Sequence, residues 1–314
     1  MADKLLAIVG PTGVGKTSLA LKMAERFDGE IISADSRQVY KGMDIGTGKD
    51  LPVNSKFKLV NSQAGGYYLI GGVKVWGYDL VEPTEEFSVA HYAKFAHNAI
   101  STIFRSGHLP ILVGGTGLYI SAVVDGIDTI AIPRNEALRK HLEKKFVAEL
   151  FDMLAHLAPM RAAKLNSSDK RNRVRLVRAI EVASSKEKVF YKKHHYEALL
   201  LGLYLEKEEL VERIGARVRS RIGAGFKKEV KDLLESGVGY EHQSMQALGY
   251  KGSGKWLKGR AGDGEFSEAW ARAEARYARR QMTWFKRDKR IHWFDVASPD
   301  YPKKVEATVG KWYP

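Results

Sequence analysis

The sequence predicts an α/β fold: a parallel sheet wrapped by helices and interrupted by a helical insertion. Three observations carry that expectation. Short apolar runs alternate with helical periods through the first 125 residues. The segment Ile8–Ala20, IVGPTGVGKTSLA, joins one such run to one such helix through a glycine-rich loop. From about Ile132 to Phe190 the pattern turns helical, and a strand-like run then returns.

Residues 4–9, KLLAIV, read as a buried parallel strand, continuously apolar because both faces are covered. The loop Gly10–Thr17, GPTGVGKT, satisfies G-x-x-x-x-G-K-[ST] in full. Gly10, Gly13 and Gly15 let backbone N–H groups point at phosphate oxygens without a Cβ in the way. Lys16 supplies a compact cation, and the Thr17 hydroxyl reaches a Mg²⁺ ion. The helix expected from Lys16 to Phe27 aims its positive end at the anion. The frame is therefore P-loop NTPase-like. ATP is the obvious holder of such a loop, but the loop alone identifies a diphosphate and not a nucleotide.

EIISADS is the second strand, ending at Asp35. Ligands bind at that edge of an open α/β sheet. A carboxylate there holds Mg²⁺ through water or takes a proton from a nucleophile. Asp35 and Ser36 also suit a helix N-cap, so that alternative stays open. The stretch 56–78 alternates and contains Gly-Gly pairs, as a small antiparallel ribbon inserted in the sheet domain would. TEEFSVAHYAKFAHNAISTIFRSG reads as a capped helix closed by Gly107. LPILVGGTG is a further strand; Thr116 places a hydroxyl at the same edge, or else belongs to a plain glycine turn. Residues 126–196 form the helical insertion. EALLLGLYLE returns to the core as a strand, and helices follow. The expected organisation is a core of 1–125 and 197–314 and an insertion of 126–196.

With 314 residues and 44% hydrophobic content the chain can build a sizeable core. It has no cysteine, which excludes disulfides, thiolate metal sites and a cysteine nucleophile. No apolar run is long enough to span a membrane. The loop begins too near the first residue for a signal peptide, so a cytoplasmic protein is expected. The net charge of +14 is unevenly spread: residues 1–125 hold 12 basic and 12 acidic side chains, and 126–314 hold 39 and 25. A basic back half is either a lysine-rich solvated surface or the footprint of a polyanion. Three stretches favour the polyanion. KRNRVRLVR, Lys170–Arg178, puts Arg175 and Arg178 on one helical face. QALGYK, Gln246–Lys251, offers polar groups and an aromatic. RYARRQMTWFKRDKR, residues 276–290, interleaves aromatics with basic groups, which suits unpaired bases and phosphates. Trp284 serves equally well as a core residue.

GPTGVGKTSLA, ISADSRQVYKGMDIGTGK, PILVGGTGLYI, RVRLVRAIEV, QALGYK and RRQMTWFKR occur in the order found in the tRNA dimethylallyltransferases (tRNA isopentenyltransferases). The chain resembles that family from about residue 5 to 295. The resemblance implies transfer of a dimethylallyl group from dimethylallyl diphosphate to the N6 amine of the adenosine next to the anticodon of tRNA. Diphosphate is released with Mg²⁺ assisting. Gly10, Thr12, Gly13, Gly15, Lys16 and Thr17 then hold an isoprenoid diphosphate, with Thr17 on the metal. By the same resemblance Asp35 takes the amine proton, Thr116 positions the substrate, and Arg217, in ERIGARV, points at the diphosphate. Asp35, Ser36, Arg37 and Gln38 meet the flipped base and its neighbours. Arg175, Arg178, Gln246, Gly249, Tyr250, Lys251, Arg279, Arg280, Gln281 and Trp284 complete the implied tRNA contacts. The implied partners are the tRNA anticodon stem-loop and dimethylallyl diphosphate, and the chain is expected to act as a monomer.

The chemistry is consistent with the residues. An adenine amine is a poor nucleophile, whereas an allylic diphosphate ionises once its departing charge is stabilised. The chain departs from the family at several places: Ala158 replaces a common acidic residue, Lys251 an arginine and Arg221 a methionine, and the ribbon is longer. Two further readings remain, a P-loop ATPase or kinase with an RNA-binding appendage and an adenine-nucleotide prenyltransferase. The basic back half argues against the second, since a mononucleotide needs no such surface.

Overall fold

The structure is a computed structural model describing residues 3–49, 51–52, 56–61, 65–130, 132–185 and 194–314. β1 (Asp3–Val9) is apolar and buried from Leu5 to Val9 because that stretch feeds two cores. Leu5, Ala7 and Val9 face one hydrophobic cluster, and Leu6 and Ile8 face another. That two-residue alternation is the pleat of a strand covered on both faces. The chain continues through α1 (Lys16–Arg26), β2 (Gly29–Ser33), β3 (Phe57–Asn61), β4 (Gly65–Ile70) and β5 (Val73–Trp76). α2 (Val89–Arg105), β6 (Leu109–Gly114) and α3 (Gly117–Val124) complete the first stretch. After the helical unit come β7 (Tyr196–Tyr204), α8 (Lys207–Arg221), α9 (Lys227–Glu235), α10 (Leu248–Leu257), α11 (Asp263–Phe285), β8 (His292–Asp295) and α12 (Tyr301–Trp312).

The sheet order is β3-β4-β5-β2-β6-β1-β7-β8. From β5 to β8 every pairing is parallel, while β3, β4 and β5 pair antiparallel. The expected ribbon is thus present, and it joins the parallel sheet through β5 on β2; residues 62–64 of it lie outside the described residues. The second strand ends at Ser33, two residues before Asp35, so the carboxylate stands on the loop beyond the strand. α2 begins at Ser88, whose hydroxyl accepts the His91 amide at 3.2 Å, and is followed by Gly107 in the left-handed region. α2 and α3 supply Tyr92, Ala96, Ile100, Tyr119 and Ile120 to one cluster. α1 and α12 supply Leu19, Met23, Val305 and Val309 to the other.

The chain divides into two compact units, Met1–Asp125 with His194–Pro314, and Gly126–Lys193. The second contains α4 (Glu136–Glu143), α5 (Val147–Leu157), α6 (Pro159–Ala163) and α7 (Arg173–Ser184). Its expected helical run is broken, for local reasons. Asn135 caps α4 through the Leu138 amide, Pro159 opens α6, and Asn172 caps α7 through the Arg175 amide. Leu142, Leu150, Leu154, Leu176 and Ile180 form a separate core. The end of the expected run, 186–190, lies outside the described residues.

Candidate active site

A cavity of about 520 Å³ opens beyond the carboxyl ends of β1, β2 and β6. Each strand delivers one loop to it. After β1 comes the glycine loop. Gly10 has φ 144°, and a Cβ there would stand 2.5 Å from the Leu203 carbonyl, so only glycine fits. Lys16 opens α1 and donates from Nζ to the Pro11 carbonyl at 2.7 Å. Thr12, Gly13, Gly15, Lys16 and Thr17 all line the cavity. Burial and the Arg217 guanidinium bring the Lys16 ammonium down to about 8, against the pull of Asp35 and Glu274.

After β2 come Asp35, Ser36, Arg37 and Gln38, all on the cavity wall. No helix follows Asp35. Its Oδ1 accepts the Arg37 amide at 2.8 Å, an Asx turn rather than a helix cap. Arg37 donates to the Gln243 carbonyl at 2.8 Å, and Gln38 spans from the Ser33 hydroxyl (2.7 Å) to the Gly48 carbonyl (2.9 Å). After β6, Thr116 occupies the N-cap position of α3, but its side chain does not cap. Its Oγ1 accepts the Ser36 amide at 3.1 Å instead. The hydroxyl is thereby turned to the Asp35 loop.

Helices α8 and α11 close the other side with Arg217, Arg221, Glu274, Tyr277, Arg280 and Gln281. Glu274, Tyr277, Gln281 and Trp284 follow three- and four-residue steps on α11 and so share one stripe. The Tyr277 hydroxyl bonds Thr116; burial, with the Asp35 charge nearby, pushes its phenol up to about 12. Gln281 is buried: Oε1 accepts the Thr12 amide at 2.9 Å and Nε2 donates to the Gly115 carbonyl at 2.9 Å. It pins the glycine loop to the loop after β6, and its expected place in an RNA contact gives way to that role. Trp284 is partly exposed, packed on Gly117.

The QALGYK stretch divides. Gln246 lines the cavity and donates to the Tyr240 carbonyl at 2.7 Å. Lys251 is exposed. Tyr250 is fully buried, its hydroxyl on the Glu229 carboxylate at 2.6 Å, so it cannot meet RNA; Gly249 is buried beneath Trp270. The tRNA contact that the resemblance implies for Tyr250 is thus replaced by a core role, which the short QALGYK stretch gives no periodicity to reveal. Arg279 and Arg280 are exposed, Arg280 with its guanidinium over the Tyr277 ring.

In the helical unit, Arg175 pairs with Asp169. Arg178 is committed to structure. It donates to Glu181 and to the Thr129 and Ile132 carbonyls, the last two at 2.8 Å. Arg139 also holds Glu181. Arg175 and Arg178 therefore do not present an equivalent pair of phosphate-facing groups.

Among the described residues no group of three or more His, Cys, Asp or Glu could hold a metal. The oxygens of Thr17 and Asp35 share the cavity, and a hard cation bound through one or two protein oxygens plus ligand phosphates fits that donor set. Glu274, Tyr277 and Arg221 are additions to the residues that the sequence suggests for the active site; the available signal is the stripe spacing on α11 for the first two and the four-residue step from Arg217 on α8 for Arg221. No described helix is long and apolar enough to cross a membrane.

The family model described as IPP transferase matches residues 38–288, and that described as isopentenyl transferase matches 3–62. The tRNA dimethylallyltransferase of Carboxydothermus hydrogenoformans is 39% identical over 98% of this chain and 97% of its own. That of Moorella thermoacetica is 40% identical over 98% and 94%. The solved structure of the tRNA isopentenylpyrophosphate transferase of Bacillus halodurans is similar, with TM-score 0.70, 34% identity and coverage of 98% of this chain and 96% of that one. A eukaryotic dimethylallyltransferase, solved acting on tRNA, aligns with TM-score 0.78 and 25% identity over 98% of this chain and 78% of its own.

Proposed function

This chain belongs to the IPP transferase family, and on that premise we propose that it transfers the dimethylallyl group of dimethylallyl diphosphate to tRNA, at the N6 amine of the adenosine beside the anticodon. The carrying observation is that one cavity gathers Thr12, Gly13, Gly15, Lys16 and Thr17 of the glycine loop with Asp35 and Arg217, and that Thr116 is bonded to its wall. The P-loop NTPase-like core holds the isoprenoid diphosphate, with loop amides, Lys16 and Thr17 on its oxygens. Thr17, together with the diphosphate, would hold Mg²⁺, which would supply neutralisation of the charge on the leaving group.

The amine nitrogen bonds to C1 of the allylic chain as the C1–O bond to diphosphate breaks. Asp35 takes the proton that the amine sheds. Thr116, oriented by the Ser36 amide and by Tyr277, sets the acceptor against Asp35. Arg217 and Lys16 stabilise the negative charge that accumulates on the leaving oxygen. Ser36, Arg37, Gln38 and Gln246 surround the base, which must leave its stack to be reached. tRNA is bound by exposed basic groups, Arg175, Lys251, Arg279 and Arg280 among them, and by the helical unit. The protein acts in the cytoplasm as a monomer.

The test pairs two measurements. Dimethylallyl diphosphate should protect the protein against heat more than ATP does at equal concentration. Labelled dimethylallyl diphosphate should pass its label to tRNA and not to AMP. Equal or better protection by ATP supports the kinase reading, and label on AMP supports the mononucleotide prenyltransferase.

A further inference from the structure

The cavity has an apolar end. Ile31 of β2, Val113 of β6 and Tyr78, just beyond β5, line it, and all three are buried in the cluster on the α1 face of the sheet. Val113 pairs in register with Ser33, and Ile31 stands two residues before Ser33 on the same face. Gly77 brings Tyr78 to them. It turns the chain after β5 with φ 93°, and a Cβ on it would stand 3.0 Å from the Ser33 carbonyl oxygen.

The Tyr78 ring is backed by the ribbon. Its centroid lies 6.3 Å from that of Tyr68 on β4. The next residue, Asp79, accepts the Tyr68 hydroxyl and the buried Lys49 ammonium, and its amide donates to the Gln38 carbonyl at 3.3 Å. The polar side chains at this end are engaged with one another and with backbone. The Ser33 hydroxyl donates to Gln38 Oε1 at 2.7 Å, and Gln38 Nε2 donates to the Gly48 carbonyl at 2.9 Å. Ile31, Val113 and Tyr78 therefore offer a ligand chiefly apolar surface, in the same cavity as Lys16 and Thr17. The cavity's other apolar residues, Ala247 and Leu248, adjoin Gln246 on the side given to the base.

On the isoprenoid-diphosphate reading of the glycine loop, we propose that Tyr78 is a specificity-determining residue for the donor: it closes the apolar end of the cavity behind a five-carbon chain and excludes longer isoprenoid chains. Leaving water draws the hydrocarbon to that end. A ten-carbon chain has to displace a ring held from behind, and overpacking of that kind is costly. The transfer is unchanged: the amine nitrogen bonds to C1 as the C1–O bond to diphosphate breaks, and Asp35 takes the proton. Only the far end of the chain meets Tyr78. The ribbon thereby gains a role, since β5 and Gly77 carry the gate into the cavity.

Calorimetry without tRNA measures binding of inorganic diphosphate, dimethylallyl diphosphate and geranyl diphosphate, each with Mg²⁺, to wild type, Tyr78→Ala, Tyr78→Leu, Tyr78→Phe and Leu248→Ala. Wild type should prefer dimethylallyl to geranyl diphosphate by about tenfold or more, the low end of what an apolar pocket achieves against a misfit. Tyr78→Ala and Tyr78→Leu should narrow that preference about tenfold, while Tyr78→Phe, which keeps the ring, holds it within a few-fold. Inorganic diphosphate has no chain and should bind all variants alike, whereas a merely structural loss would weaken it with the others. If Tyr78→Ala does not fold, Tyr78→Leu, which leaves an apolar side chain in the core, decides. The proposal is overturned if wild type does not discriminate, or if Tyr78→Leu keeps the wild-type preference. It is also overturned if Leu248→Ala relaxes the preference and the Tyr78 variants do not. If wild type binds none of the three compounds, the reading of the loop itself falls. If wild type selects dimethylallyl diphosphate and the Tyr78 variants select it equally, only the Tyr78 proposal falls.

Discussion

At Lys16, burial and Arg217 lower the ammonium to about 8, so part of its charge is lost just above neutrality in the ligand-free protein. A bound diphosphate favours the charged form and raises that value again. Affinity for diphosphate is therefore greatest below about pH 8 and falls as pH rises through it, with a proton taken up on binding. Calorimetry in buffers of different ionisation heat checks this; absence of proton uptake across that range would remove Lys16 from the anion site. Asp35 carries the other residue-scale prediction. Asp35→Ala should lower turnover about 10²–10⁴-fold with tRNA affinity near normal, the usual cost of a lost general base. Turnover within a few-fold of wild type would reduce Asp35 to the Asx turn it makes with Arg37. Both residues were legible in sequence because contiguous motifs announce them. Gln281 was legible only as a polar neighbour of arginines. Its bond to the Thr12 amide joins residues far apart in the chain, which no local pattern reveals.

At the level of elements, the loop 40–49 is built from outside itself. Glu229 of α9 accepts the amides of Asp44, Ile45 and Gly46 at 2.8, 2.7 and 2.9 Å, and the Tyr250 hydroxyl of α10. Buried Lys49 ties the Tyr40 carbonyl to Asp44 and Asp79. Glu229→Ala orphans three backbone donors, and should lower stability by about 2–4 kcal/mol while weakening diphosphate binding; a variant with an unchanged melting curve would show that the loop holds itself. In the helical unit, burial would raise the Glu181 carboxyl, but hydrogen bonds from Arg139, the Asn135 amide and Arg178 outweigh it and hold it at about 2. A depressed carboxyl stabilises above its unfolded value and loses that contribution as pH falls towards the folded one. The unit should weaken between about pH 4.5 and 2, and Glu181→Gln should flatten that profile when followed by amide exchange in α7. The parallel strands were readable because double-sided burial leaves an unbroken apolar run. The helix breaks in 126–193 were less so, since Asn135 and Asn172 become caps only once the chain turns there.

At the scale of the whole molecule, a neutral front half carries the sheet edge and the glycine loop, while residues 126–314 carry the entire excess of positive charge. Anion chemistry at the sheet edge thus relies on a few placed cations, and tRNA capture on many dispersed ones. Lys251→Ala and Arg279→Ala should each reduce the log–log salt slope of tRNA binding by about 0.7, with diphosphate protection unchanged. Unchanged slopes in both would mark these side chains as solvated surface only. The central claim is that a loop of ATP-binding type here presents an isoprenoid diphosphate to tRNA, and the most direct measurement is mass spectrometry of nucleosides from tRNA treated with the protein, Mg²⁺ and dimethylallyl diphosphate. The expected result is an adenosine from beside the anticodon heavier by one dimethylallyl group in place of a hydrogen, matched one for one by released diphosphate and formed about 10²–10⁴-fold more slowly with Asp35→Ala. Unmodified tRNA, with ATP hydrolysed or a phosphoryl group transferred instead, would contradict it.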